Sequence, residues 1–226
     1  MDPRALPETL DTAVAILAHE VRGPVLAVRR ALERLQTDDI SPASRYLIEL
    51  SSRDLDHLSD LAEALLRWST GRIRLSREAL DLGELVRDAV DSCRLELSEN
   101  GRLQLEASDH VIIDGDRAFL RAAVENLIRN ALRYSPLDSP VRLTVRPDDR
   151  GAIVLVQDHG PGIAEEERQG IFAPFVLGAP GRRSSTGSGL GLFIASEVVQ
   201  AHGGALALES EPGKTIFRVW LPVAGS

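Results

Sequence analysis

The sequence predicts a helical hairpin followed by an α+β sandwich, on three observations. Residues 1–70 carry apolar side chains at helical spacing, the remainder alternates strand and helix signals, and glycine-rich segments fall at the ends of those later elements. Between Leu6 and Leu35 the apolar positions are Leu10, Val14, Leu17, Val21, Val28 and Leu35, with Pro24 and Ala31 completing steps of four and three. That is a heptad-like seam which packs against other helices. Gln36–Ser44, with Pro42 and several small polar residues, breaks the period as a turn. A second seam follows at Leu58, Leu61, Leu65 and Trp68. Two such helices form an antiparallel hairpin that alone buries too little surface, so the expectation is a homodimer closing a four-helix bundle.

The boundary falls after Thr70-Gly71, giving units 1–70 and 71–226. In the second unit Leu82–Leu97 reads as a helix, and Leu103–Ala107 and Val111–Asp114 as short strands. Arg117–Tyr134 is a strongly amphipathic helix. Val141–Arg146 and Ala152–Gln157 alternate around Pro147-Asp148-Asp149-Arg150-Gly151, a hairpin signal. Gly189–Ala201 reads as a helix, and Ala205–Ser210 and Thr215–Leu221 as a second hairpin turning at Glu211-Pro212-Gly213. Strands and helices in runs predict one sheet covered by helices.

Composition narrows the function classes. The chain has 226 residues, with Lys+Arg 26 against Asp+Glu 34 and a net charge of -8. A net acidic chain argues against a general nucleic-acid binder. The single Cys93 forbids an internal disulfide and favours a reducing compartment. No apolar run is long enough to span a membrane and no secretion signal stands at the start, so a soluble, cytoplasmic chain is expected. Any sensor domain or membrane sensor then lies outside this sequence.

With Val14 and Val21 at heptad position a and Leu17 at d, His19 falls at f, farthest from the packed face. A surface histidine without a role is the competing reading. Against it, Glu20 can accept a hydrogen bond from one ring nitrogen and leave the other as a nucleophilic lone pair. Pro24 cannot donate an amide to the carbonyl of Glu20, which bends the helix one turn beyond the ring.

Farther along, Asn126, Asn130 and Arg133 are spaced four and three apart and share one helical face. Two amides and a guanidinium in line suit a phosphate chain with a metal; a merely solvated face is the alternative. Asp158-His159-Gly160-Pro161-Gly162-Ile163 follows a strand, and its glycines permit a sharp turn. Asp158 can accept from an exocyclic amine. Thr186-Gly187-Ser188-Gly189-Leu190-Gly191-Leu192 opens a helix, where unpaired N–H groups and the dipole favour phosphate. It is neither a dinucleotide fingerprint, since no βαβ unit surrounds it, nor a P-loop, since the Gly-Lys-Ser/Thr ending is absent.

Ala18-His19-Glu20-Val21-Arg22-Gly23-Pro24-Val25 resembles the phosphoacceptor box of sensor histidine kinases. The later segments, together with Phe172-Ala173-Pro174-Phe175, resemble the N, G1, F and G2 boxes of the ATP-binding domain shared by histidine kinases, gyrase-type ATPases and Hsp90 chaperones. The resemblance implies that His19 is phosphorylated with Glu20 as its acid/base partner. It implies that Asn130 holds Mg²⁺, that Asn126 and Arg133 contact the phosphates of ATP, and that Tyr134 lies by the adenine. Asp158 would read the adenine amine, with Gly160, Gly162 and Ile163 shaping its turn. Gly187, Gly189, Leu190, Gly191 and Leu192 would close on the nucleotide. Gly178–Ser185, with Arg182 and Arg183, would form a mobile lid, and Lys214-Thr215 would line the pocket.

A response-regulator receiver domain is the implied partner. Where the family usually has Thr or Asn, this chain has Gly23, which offers no side chain to position water and implies weak phosphatase activity. ATP-hydrolysing relatives place a Glu one turn before the metal-binding Asn; here that position is Asn126, and Glu125 is rotated from it by about 100°. The expected activity is therefore a protein histidine kinase. The alternatives are a histidine phosphotransfer protein with a degenerate ATP domain, and an ATPase sharing the pocket.

Overall fold

Backbone pairing from Glu78 to Pro222 builds one five-stranded mixed sheet, one two-stranded sheet and a layer of helices. The computed structural model describes residues 75–97, 101–108, 110–174, 176 and 189–223. Both hairpin helices, and the bundle expected from them, lie outside those residues. The chain divides into two compact units between Arg74 and Leu75, and the described residues belong to the second.

The elements are β1 (Glu78–Asp81), α1 (Leu82–Leu97), β2 (Leu103–Ala107), β3 (Ile112–Gly115), α2 (Arg117–Tyr134), β4 (Val141–Asp148) and β5 (Gly151–Asp158), followed by a short α3 (Glu165–Arg168) and a single 3₁₀ turn (Gly170–Phe172), then α4 (Gly191–Ala201), β6 (Ala205–Glu211) and β7 (Lys214–Pro222). The large sheet runs β2-β4-β5-β7-β6, parallel between β2 and β4 and antiparallel elsewhere. Helix α2 packs against both α1 and α4, and all three helices touch the strands of this sheet.

Period-two alternation explains the sheet's inner face: Val141, Leu143 and Val145 of β4 are buried while Arg142 and Arg146 face out. Phe217, Val219 and Leu221 do the same on β7. Against them α2 buries Leu120, Val124, Leu127, Ile128 and Ala131, a helical stripe. Each fully buried aliphatic side chain here contributes roughly 1.5–3 kcal/mol.

Several expected boundaries move, each for a local reason. Both hairpins are longer than expected. Pairing continues through Asp148↔Gly151, which leaves a two-residue turn at Asp149-Arg150. Pro147 is tolerated because the carbonyl of its same-side neighbour Val145 faces β2, and β2 ends at Ala107, so no strand needs the missing N–H. Strand β3 starts at Ile112 because the Val111 carbonyl accepts from Leu82 N–H at 2.9 Å. Helix α4 starts at Gly191, since Gly189 is left-handed at φ 70°. Strand β1, which the sequence did not announce, pairs antiparallel with β3. Its last residue, Asp81, accepts from the N–H groups of Gly83 and Glu84 and so caps α1.

The entry to α2 is held by a polar node. Asp116 is 7% exposed; its Oδ1 accepts from Ala118 and Phe119, and its Oδ2 from the N–H of Ser76. The Asp116 N–H donates to His202 Nε2 at 2.9 Å, and His202 Nδ1 lies 2.7 Å from the Val198 carbonyl. A carbonyl only accepts, so Nδ1 carries the proton and the ring is neutral. Burial pushes the His202 pKa below its usual value, the Val198 carbonyl opposes this, Arg77 reinforces it, and Asp116 and Asp114 oppose it.

A histidine whose folded pKa is depressed contributes stability above its unfolded pKa, which is lost as pH falls below about 6.5. The urea midpoint is therefore expected to drop between pH 7.5 and pH 5.5. In His202→Leu, which is less stable at pH 7.5, that drop shrinks. An equal drop in both chains would contradict the assignment.

Candidate nucleotide-binding site

The site lies where α2, the turn after β5 and the start of α4 approach one another. Asn126 is 8% exposed, and its Nδ2 donates to the Ala122 carbonyl at 3.0 Å, which fixes the amide. A methyl group added at Gly191 would stand 3.0 Å from Asn126 Oδ1, so glycine lets the first turn of α4 lie against this amide. The α4 cap residue, Leu190, supplies no side-chain hydrogen bond to the first turn. Asn130 is half-buried one turn beyond Asn126, Arg133 is exposed, and Tyr134 and Leu192 are half-buried.

Glu125 is turned away from the two asparagines, as its helical angle requires. Its carboxylate pairs with Arg121 Nε and Arg129 Nη2, each at 3.2 Å. A carboxylate tied to two guanidiniums on its own strip of the helix is not aimed at the face that carries the asparagines.

At the other end Asp158 is 3% exposed and pairs with Thr215 across β5 and β7. Burial pushes its pKa above the usual carboxylate value, while the Gly160 N–H and then His159 pull it down. That N–H donates to Asp158 Oδ1 at 2.7 Å. Gly162 has φ 81°, and a methyl group there would meet the Glu211 backbone at 2.9 Å; both demand glycine. The Gly160 carbonyl accepts from Gly213 N–H at 3.0 Å, and Ile163 N–H donates to Ser210 Oγ, itself 3.0 Å from Thr215 Oγ1. The turn is thus fastened to the β6–β7 hairpin.

The structure therefore brings together Tyr134, Asp158, Gly160, Gly162, Ile163 and Thr215 at one end, and Asn126, Asn130 and Gly191 at the other. Gly189 and Leu190 precede α4 instead of opening it. Lys214 differs from its neighbour Thr215: it is exposed and lines a separate cavity of ≈ 340 Å³ with Arg168, Leu208, Glu209, Ser210, Glu211 and Ile216. His19, Glu20, Gly23, Phe175, Arg182, Arg183 and Gly187 lie outside the described residues. Phe172 packs edge-on against Phe217, with ring centroids 6.5 Å apart. Ser135 and Ser210, whose hydroxyls hold the Asp158 turn, were not singled out from the sequence. No spacing rule marks them, although Ser135-Pro136 directly follows the asparagine face.

Among the described residues no group of three His, Cys, Asp or Glu side chains is placed to hold a metal. A neutral amide oxygen such as that of Asn130 suits a hard cation that takes its remaining ligands from phosphate and water. The residues present fit Mg²⁺ carried in with a nucleotide.

Residues 115–225 match the family described as histidine kinase-, DNA gyrase B- and HSP90-like ATPase. The sensor histidine kinase MtrB of Mycobacterium leprae is 34% identical over 92% of this chain and 38% of the relative. The mycobacterial sensor histidine kinase MprB is 31% identical in its solved structure, at TM-score 0.56 over 65% of this chain and 97% of that one. This chain belongs to the sensor histidine kinase family. ShkA, solved full-length in complex with AMPPNP, is 27% identical with TM-score 0.67, covering 95% of this chain and 47% of ShkA. The chain spans less than half the length of the curated relatives it matches. No helix among the described residues of this chain is long and apolar enough to cross a membrane.

The site predicts a pH signature. Asp158→Asn replaces the acceptor with an amide and is expected to weaken ATP binding by about tenfold or more, the loss of a charged hydrogen bond. In the parent chain, affinity falls on acidification from a higher pH than an ordinary aspartate would give, because burial raises its pKa. Calorimetric titration from pH 8 to pH 5 checks both, and a flat profile in the parent chain contradicts them.

Proposed function

We propose that this chain is the catalytic core of a two-component histidine kinase, organised as a dimerising phosphoacceptor hairpin over residues 1–70 and an ATP-binding domain over 71–226. The observation that carries this reading is the glycine-led start of α4 against Asn126, with buried Asp158 on the turn that Ser135 holds to the end of the same helix α2. In this reading the phosphates of ATP lie at the α4 end and its base at the Asp158 end.

Asp158 accepts from the adenine amine, and Tyr134 flanks the ring. Asn126, Arg133 and the α4 N–H groups bind phosphate oxygens, as do Arg182 and Arg183 from the lid. Asn130 holds Mg²⁺, which supplies positive charge to the phosphate chain when bound. A neutral His19 ring nitrogen attacks the γ-phosphorus, the bond to the β-phosphate oxygen breaks, and ADP leaves. Glu20 takes the ring proton. The phosphoryl group then passes to an aspartate of a response-regulator receiver domain docked on the dimeric bundle.

Hydrolysis is disfavoured by Asn126 at the position where a base would stand and by the clamping of Glu125 between arginines. Weak phosphatase activity toward the regulator is expected from Gly23. A sensor module, in the same polypeptide or a membrane partner, would supply the stimulus to this cytoplasmic core.

Incubation with γ-labelled ATP and Mg²⁺ tests the reading. The expected result is acid-labile, base-stable label on the protein, absent in His19→Ala and reduced by about 10²-fold or more in rate in Glu20→Gln, the usual contribution of a general base. Free phosphate with unlabelled protein would indicate an ATPase. Neither product would indicate a phosphotransfer protein with a degenerate domain.

A further inference from the structure

We propose that Ser135 is a positioning residue that holds Asp158 at the height from which it reads the nucleotide base, through a directed chain of hydroxyl hydrogen bonds. The inference rests on the base-reading role of Asp158 proposed above. Ser135 is the C-cap of α2, 6% exposed, and its N–H donates to the Ala131 carbonyl at 3.0 Å. Its Oγ accepts the N–H of His159 at 3.1 Å and lies 3.0 Å from Ser139 Oγ.

Proton accounting fixes the direction. Ser139 Oγ donates to the Pro136 carbonyl at 2.8 Å, which uses its only proton. The hydrogen bond between the two serines must therefore run from Ser135 to Ser139. The chain reads His159 N–H to Ser135, Ser135 to Ser139, and Ser139 to the Pro136 carbonyl. Each link polarises the next.

The far end is anchored independently. Arg102 donates to the carbonyls of Ser139, Ser135 and Pro136 at 3.2, 3.4 and 3.0 Å, and His159 Nδ1 lies 3.1 Å from the Pro140 carbonyl. The β4–β5 ladder ends at Arg142↔Gln157 and the β5–β7 ladder at Asp158↔Thr215, so the next residue, His159, has no strand pair on either side. Ser135 supplies the acceptor that the sheet stops providing. Asp158, itself in the last ladder pair and directly before this clip, is held from both sides. The helix that carries Asn126 and Asn130 thereby sets the position of the Asp158 carboxylate.

The test compares the affinity of the full chain for Mg²⁺-ATP and for Mg²⁺-purine riboside triphosphate, which lacks the amine that Asp158 accepts. Ser135→Ala is expected to reduce the preference for ATP about tenfold, raising the autophosphorylation KM for ATP while kcat at saturation stays within roughly twofold. Ser135→Thr keeps the hydroxyl and restores the preference. Ser139→Ala leaves the acceptor for His159 in place and gives a smaller shift in the same direction, which keeps the test open should Ser135→Ala fold poorly.

Equal losses for both nucleotides, or an unchanged preference, in Ser135→Ala would overturn the relay. Asp158→Asn separates the two readings. A preference that collapses there but survives in Ser135→Ala overturns the relay alone, whereas one that survives Asp158→Asn overturns base reading and the relay with it.

Discussion

The nucleotide site depends on the burial of α2. Its apolar stripe, Leu120 to Ala131, is packed beneath the sheet and between α1 and α4, and this fixes which way its remaining side chains point. Asn126 and Asn130 then stand on one strip and Glu125 on another, an angle set by helical geometry and locked by packing. The close approach of Gly191 to Asn126 belongs to the same packing, since α4 lies against α2 and a side chain at position 191 would meet the Asn126 amide.

Two polar devices pin the ends of that helix. At its start, Asp116 gathers the first-turn N–H groups, Ser76 and neutral His202 into one node. At its end, Ser135 Oγ takes the His159 N–H beside Asp158, while Arg102 holds the carbonyls of Ser135, Pro136 and Ser139 just beyond the helix. The first device joins the segment that emerges from the upstream unit to the helix bearing the asparagines. The second joins that helix to the turn that follows Asp158. Neither uses a charge that is buried without partners, consistent with the cost of such charges in an apolar interior.

Much of the second unit was legible because its periods are clean. Arg117–Tyr134 and Leu82–Leu97 show the 3.6-residue repeat over many turns, and the structure keeps both boundaries. The strands of the two hairpins were legible from alternation, but their lengths were not. A turn signal such as Pro147-Asp148 reports composition and cannot report which edge of a strand is free. Strand β1 was hidden because Glu-Ala-Leu-Asp carries no alternation; its existence depends on β3, far along the chain. Gly162 and Gly191 were legible because a left-handed turn and a close helix approach each need glycine. Ser135, Ser210 and His202 were not, since a hydroxyl or a ring that satisfies a distant N–H leaves no local pattern.

The direct test of this architecture is hydrogen–deuterium exchange with and without Mg²⁺-ATP. Nucleotide held between α2 and the start of α4 should slow exchange at residues 158–163 and in the first turn of α4, around 191–194, with the outer hairpin turn at 149–150 unchanged. Protection confined to the hairpin cavity near Arg168 and Lys214, with none at those two segments, would contradict it.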